Sequence, residues 1–120
     1  MTNKELLRNF YLSDGIRNVN VLDEILHDEV ILHWDSSEGK LILEKEGILN
    51  LAKELNQNYA KSIIEITHIL EEGDLVALRY SHKVAAIENP SELMDIAKII
   101  VIWEFLENKL IKGHQISQPA

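Results

Sequence analysis

The last third of the chain, residues 74–118, has the period-two alternation of long β-strands and constrains the fold more than any other stretch. It is predicted to form three antiparallel strands joined by two turns. In the first of these strands, alternate side chains form one buried face: Val76, Leu78, Tyr80, His82 and Val84. Because an apolar sheet face must be buried against another layer, the upstream part of the chain is expected to cover this sheet.

The strand over residues 95–106 is apolar on both of its faces. One face consists of Ala97, Ile99, Val101, Trp103 and Phe105. The opposite face carries Ile96, Ile100 and Ile102. A strand that is apolar on both sides must be covered on both sides, and no residues are left to form a second layer. We therefore expect a homodimer through the outer sheet face, in which Ile96, Ile100 and Ile102 contact a second copy.

Upstream of the sheet, apolar residues recur at the three- and four-residue spacing of helices. The first helix follows a capping-box pattern at Thr2 and Glu5, and Gly15 is expected to end it in the left-handed conformation. A second, shorter helix is predicted to bury Leu22. A third is predicted over residues 44–58, with its apolar stripe turned inward.

The remaining segments complete the pattern of an α+β domain. A strand is predicted at Val30–Trp34, a turn at residues 35–40 and a further strand at residues 62–70. In the last of these, one face is predicted to hold Ile64, Ile66, His68 and Leu70. The order helix, helix, strand, helix and four strands predicts helices packed on one face of a curved antiparallel sheet. Residues 1–120 are expected to form a single domain.

Charge and composition argue against several kinds of partner. Twelve basic and 20 acidic residues give a net charge of −8, and no cluster of Lys or Arg is present to bind nucleic acid or an anionic membrane. The absence of cysteine removes disulfides, zinc–thiolate sites and thiol catalysis. The five histidines are scattered and no phosphate loop or dinucleotide fingerprint occurs, so no metal and no cofactor is expected. The most apolar run, Ile99–Trp103, is too short to span a bilayer, and a cytoplasmic protein is expected.

Four segments carry a family resemblance: Leu26–Trp34, Glu46–Ile48, Glu72–Tyr80 and Ile102–Gln115. In their order and spacing, over nearly the whole chain, they resemble the nuclear transport factor two-like superfamily, especially its SnoaL-like, polyketide cyclase-like branch. The resemblance implies a cone-shaped curved antiparallel sheet with three N-terminal helices packed on its concave face. It also implies an apolar pocket inside the cone and dimers formed through the sheet. The superfamily includes isomerases, cyclases, dehydratases, epoxide hydrolases and non-catalytic binding proteins, so it implies no single activity.

The resemblance can be followed onto the positions that carry steroid-isomerase chemistry. The tyrosine of the first helix falls on Phe10, although Tyr11 is adjacent. The general-base aspartate falls on Trp34, with Asp35 one residue later. The protonated aspartic acid of the penultimate strand falls on Val101. Because these roles are lost or displaced, the resemblance argues against steroid-isomerase chemistry.

Three further positions decide which catalytic roles are open. Polyketide cyclases of the SnoaL type use an acid where this chain has Gln115, and an amide cannot act as a general base. His82 shares an apolar strand face, so it is a candidate catalytic base tuned toward neutrality, or simply a histidine bonded to a neighbour. Asp35 is a candidate pocket carboxylate if a bulge shifts the strand by one residue, and otherwise a solvated turn residue.

The expected ligand-binding residues are four large aromatic side chains, one valine and one amide. They are Tyr11, Trp34, Tyr80, Val101, Trp103 and Gln115. Three interpretations follow. The first is a SnoaL-like protein with an apolar pocket that binds a small molecule of unknown identity, with no catalytic activity assigned to it. The second is a cofactor-independent cyclase, isomerase or dehydratase that uses His82 with Asp35 or Tyr11. The third is a non-catalytic interaction module whose cone is filled by its own side chains.

Overall fold

Three α-helices and six β-strands follow one another in the computed structural model of the chain, which describes residues 1–120. Their bounds are α1 Asn3–Leu12, α2 Val19–Ile25, β1 Leu26–Ser36, β2 Gly39–Leu43, α3 Lys45–Asn58, β3 Tyr59–Glu72, β4 Leu75–Ala86, β5 Met94–Leu106 and β6 Lys109–Pro119. A single 3₁₀ turn at Gly15–Arg17 separates α1 from α2. No helix is both long enough and apolar enough to cross a membrane.

The first helix begins as its sequence predicts and ends differently. The hydroxyl of Thr2 accepts a hydrogen bond from the backbone amide of Glu5 at 3.1 Å. The left-handed residue after the helix is Asp14, with φ 64°, so the prediction that Gly15 takes this conformation is wrong. Gly15 is required for space instead, because a Cβ atom there would lie 2.4 Å from the Phe10 ring. The absence of a side chain at Gly15 therefore lets the backbone pass close to Phe10 of α1.

The six strands form one curved, open sheet in the order β2-β1-β6-β5-β4-β3. The predicted α+β architecture is confirmed, and four of the five strand pairings are antiparallel. The pairing of β1 with β6 is parallel, so the sheet is mixed. The sequence could not predict the parallel pair, because alternation within a strand identifies the buried face but not whether the neighbouring strand runs parallel or antiparallel. In addition, β1 and β6 are far apart in the sequence, so no turn between them indicates their relative direction.

An edge strand occupies part of the segment predicted as a turn. Only Ser37 and Glu38 form the turn, and β2 returns along β1 as a hairpin. Gly39 adopts φ 113°, which lies in the region that favours glycine. The polar run at residues 35–40 conceals this strand because its apolar part begins only at Leu41.

A bulge reverses the alternation in the second half of β3. The register against β4 shifts between Ile66 and His68. Ile64 and Ile66 share one face as predicted, and it is the inner face, but Ile69 then takes the next inner position. Leu70 is 69% exposed, so the prediction that Leu70 and His68 share a face with Ile64 and Ile66 is wrong.

The inner faces of β4 and β5 match their sequence patterns. The predicted inner residues of β4 and most of those of β5 are buried: Val76, Leu78, Tyr80, His82, Val84, Ile99, Val101, Trp103 and Phe105. On the opposite face, Ile100 is 50% exposed and Ile102 is 42% exposed. Ile96 does not share that face, because a register shift at the start of β5 leaves it unpaired and its side chain reaches the inner cavity.

Candidate functional site

A cavity of about 340 Å³ lies between the helices and the concave face of the sheet. Twenty-two residues line it, and 17 of them are hydrophobic. Its buried end is formed by residues such as Leu22, Leu26 and Leu110, whereas Glu54 and Asn58 are exposed at its mouth. This volume lies at the lower end of the range found for small-molecule sites, which are also mostly apolar with a few polar groups.

The third helix forms one wall of the cavity. Residues spaced three or four apart share one side of a helix, and Ile48, Leu51 and Leu55 are all on the cavity side of α3. Glu54 and Asn58 continue that side toward the end of the helix. The apolar stripe that holds α3 against the domain therefore also brings two polar side chains to the mouth.

Three aromatic side chains, Tyr11, Tyr80 and Trp103, pack together in the apolar wall of the cavity, and two of them share a hydrogen bond. The indole Nε1–H of Trp103 donates a hydrogen bond to the hydroxyl oxygen of Tyr11 at 2.9 Å. The ring centroids of Tyr11 and Tyr80 are 5.0 Å apart, with the planes tilted by 47°. Burial raises the pKa of Tyr11 to about 12, against the weaker opposing effects of Trp103 and Tyr80, and also raises the pKa of Tyr80. Both phenols therefore stay protonated at neutral pH and can serve as hydrogen-bond donors.

His82 is only 5% exposed and reaches the cavity from β4. Its Nε2 atom lies 2.6 Å from the hydroxyl oxygen of Ser62. Burial lowers the pKa of His82 from 6.5 to about 4; the Asp14 carboxylate raises it and Arg17 lowers it further, both by less. The imidazole is therefore neutral at physiological pH. Ser62 does not line the cavity, so this pair does not present a nucleophile to a ligand.

The last strand contributes a polar edge and one required glycine. The indole of Trp34 donates to the Ser117 hydroxyl at 2.8 Å, and Gln115 lies beside Trp34 in the parallel pairing. All three side chains line the cavity. A Cβ atom at Gly113 would lie 2.7 Å from the Trp103 ring, so only glycine lets that ring approach β6 this closely.

The structure brings most of the sequence-predicted site residues to this cavity. Those that line it are His82, Tyr11, Trp34, Tyr80, Trp103 and Gln115. Val101 is fully buried in the core without lining the cavity. Asp35 is exposed on the opposite side of the sheet, in register with Lys40 and Ile116, so it is not brought together with His82.

Sequence reasoning missed three polar lining residues. Glu54 and Asn58 follow Leu51 at three- and four-residue steps, a signal that extends the apolar stripe and could have identified them. Ser117 lies two residues after Gln115, on the same face of its strand. No three His, Asp or Glu side chains converge in a way that could hold a metal ion.

The concave mixed sheet, the three helices packed on it and the enclosed cavity define the nuclear transport factor two-like fold. Solved structures of candidate SnoaL-like polyketide cyclases share this fold with the chain. No protein-family model matches the sequence, and no curated protein resembles it. The similarity of this chain to known proteins is therefore found by comparing structures and not by comparing sequences.

Solved structures of this fold superpose on nearly the whole chain. IdmH from Streptomyces antibioticus, a candidate polyketide cyclase, is 14% identical with a TM-score of 0.76, covering 98% of this chain and 92% of its own. A candidate SnoaL-like polyketide cyclase from Jannaschia sp. CCS1 is 13% identical with a TM-score of 0.72, covering 96% and 84%. A protein with a ketosteroid isomerase-like fold from Catenulispora acidiphila, in complex with trimethylamine, is 12% identical with a TM-score of 0.72, covering 95% and 85%. At these identities the likeness shows the fold.

Proposed function

We propose that this protein binds an apolar small molecule in the cavity between its helices and its sheet, without catalysing a reaction on it. The observation that carries the proposal is the cavity of about 340 Å³ with 17 hydrophobic residues among its 22. Burying apolar surface releases about 25 cal/mol per Å², so such a cavity favours a ligand with an apolar body. The complex of the Catenulispora protein with trimethylamine supports small-molecule binding by this fold.

Binding is favoured over catalysis by the state of the polar groups at the cavity. His82 is bonded to the hydroxyl of Ser62, and no hydrogen bond joins it to an acid or a phenol. Asp35, the carboxylate considered as its partner, lies on the other side of the sheet. A general base needs a pKa near the working pH, whereas burial holds the pKa of His82 at about 4.

A second candidate function is a cofactor-independent cyclase, isomerase or dehydratase. One observation favours it: Tyr11, a protonated phenol, and His82, a neutral imidazole, line the same cavity. A phenol can donate to a developing oxyanion while an imidazole accepts a proton. This function requires that replacement of Tyr11 by Phe lower turnover of a carbonyl substrate without abolishing its binding. Equal turnover by the Phe variant would contradict it.

The interpretation as a filled interaction module has less support, because the cone contains a cavity and not a solid core. Contact with a second copy remains part of the proposal. A row of side chains crosses all six strands on the outer face: Ile42, His33, His114, Ile102, Ala77 and Leu70. The rings of His33 and His114, neighbours in this row, stack with their centroids 4.9 Å apart. A face of this kind suits the self-complementary contact of a two-fold homodimer.

The binding proposal can be tested with a cavity-filling variant. Leu55 lines the cavity from α3, and Leu55→Trp would fill part of it. Gln57→Trp adds the same side chain at an exposed position of the same helix that does not line the cavity, and so serves as the matched control. We expect a neutral fluorescent naphthalene probe, such as N-phenyl-1-naphthylamine, to bind the parent protein and the Gln57 variant, and to bind Leu55→Trp at least tenfold more weakly. Equal binding by all three proteins would contradict the proposal.

A further inference from the structure

The charge at the mouth of the cavity has one sign. Glu54 is the only lining residue with a full charge at neutral pH, because no Lys or Arg lines the cavity and burial keeps His82 neutral. The Glu54 carboxylate makes no salt bridge and no hydrogen bond within the chain. Its side chain is exposed, so it is available to a bound molecule that extends from the apolar interior to the rim.

The C-terminal end of α3 adds partial negative charge at the same place. The helix has 14 residues and no basic side chain in its last turn. Its final carbonyl groups carry the negative end of the helix dipole, which favours a cation within the last turn. Leu55, Asn58 and Tyr59, which surround this end, all line the cavity. The helix end therefore adds to the negative potential of Glu54 at the mouth, less the part that Arg17 offsets through its hydrogen bond to the Tyr59 carbonyl.

One cation at this end of α3, Arg17, is already paired with a carboxylate. Arg17 donates to the Asp14 carboxylate at 2.8 Å and to the backbone carbonyl of Tyr59 at 3.0 Å. It does not line the cavity. Arg17 pairs with Asp14 and not with Glu54, so the Glu54 carboxylate has no counter-ion within the chain.

We propose that the natural ligand is a hydrophobic amine, with its apolar body in the cavity and its protonated nitrogen at the mouth beside Glu54. This inference rests on the proposed binding function and adds the chemical class of the ligand. An ammonium group has three donors and no acceptor. The mouth offers matching acceptors in the Glu54 carboxylate, the side-chain carbonyl of Asn58 and the last backbone carbonyls of α3. A carboxylate or phosphate ligand would meet only negative charge there.

The test uses three probes that share one alkyl chain and differ in charge: octylamine, octanol and octanoate. Binding to the whole protein is measured by calorimetry at neutral pH and low ionic strength. We expect octylamine to bind more tightly than octanol, and octanol more tightly than octanoate. Because Glu54 is exposed, each step should be about fivefold or less, the size of a surface ion pair. Added salt should reduce the difference between the amine and the acid.

Glu54→Gln keeps the shape of the side chain and removes its charge, so it should reduce the preference for octylamine over octanol at least twofold. Glu72→Gln makes the same change at an exposed residue that does not line the cavity, and should leave the preference intact. Octanoate binding as tightly as octylamine, or an unchanged preference in Glu54→Gln, overturns the amine assignment. If octanol binds and octylamine is not preferred, the amine assignment fails while the binding function stands. If none of the three binds, both fail.

Discussion

The two faces of the same sheet differ in what their apolar side chains do. On the concave face, Val76 and Val101 are completely buried among the helices and neighbouring strands. On the outer face, Ile100 and Ile102 flank Val101 along β5 and stay about half exposed. Burial on the concave side stabilises the fold of one chain, whereas the outer isoleucines contribute little to it. Their apolar character therefore points to contact outside the chain.

The largest expected effect is on the free energy of unfolding, when the same Leu→Ala substitution is made on each face of the sheet. Leu78 is buried on the concave face, and Leu78→Ala should lower the free energy of unfolding by about 2–5 kcal/mol because it leaves a cavity. Leu70 is exposed on the isolated chain, and Leu70→Ala should change the free energy of unfolding by less than about 0.5 kcal/mol at protein concentrations too low for the proposed dimer to form. Urea denaturation of both variants measures the difference. Similar losses in the two variants would show that the faces do not differ in this way.

The next effect concerns the histidine on the concave face. The pKa of His82 is held at about 4, below its ordinary value of 6.5, because burial disfavours the charged form. The unfolded chain therefore takes up a proton before the folded chain does. The stability contribution is complete above about pH 6.5 and is lost as the pH falls toward 4, by about 3 kcal/mol in total.

This pH dependence can be measured by following unfolding from pH 7 to pH 4. His82→Gln should lose markedly less stability over that interval than the parent protein. His68→Gln alters an exposed histidine on β3 and should follow the parent curve. Parallel curves for the parent protein and His82→Gln would mean that the imidazole is not buried as the structure places it.

The smallest effect on stability is expected on the outer face, where the effect on association should be large. Ile102→Glu introduces a charge at the centre of the proposed dimer contact and should change the stability of one chain by about 0.5 kcal/mol or less. Sedimentation at micromolar concentration should show a dimer for the parent protein and a monomer for this variant. Leu12→Glu, at an exposed position at the end of α1, should remain dimeric. A monomeric parent protein would rule out the outer face as a dimer contact.

The sequence predicts those features that are encoded within single elements. The inner faces of β4 and β5 were predictable because a period of two persists without interruption from Val76 to Val84 and from Ala97 to Phe105. The bulge before His68 and the shift at Ile96 were not, since one extra residue reverses the alternation and leaves no mark in composition.

The candidate site was only partly predictable for the same reason. Aromatic residues and His82 could be placed on a concave face from alternation, and they do line the cavity. The parallel pairing of β1 with β6, which aligns Trp34 with Gln115, depends on contacts between distant segments. Asp35 is kept out of the cavity by the register of β1, and the turn-like composition of residues 35–40 hid that strand pairing from the sequence analysis. Whether apolar walls enclose free volume depends on side-chain packing that no local pattern encodes.

The central claim is that the concave side of the sheet holds an apolar ligand while the outer side does not. A crystal structure of the protein grown with octanol tests this directly. Density for the alkyl chain is expected inside the cavity, in contact with Trp34, Tyr80 and Ile99, with its hydroxyl toward Glu54. Density confined to the outer face near Ile100 and Ile102, or an unoccupied cavity at saturating octanol, would contradict it.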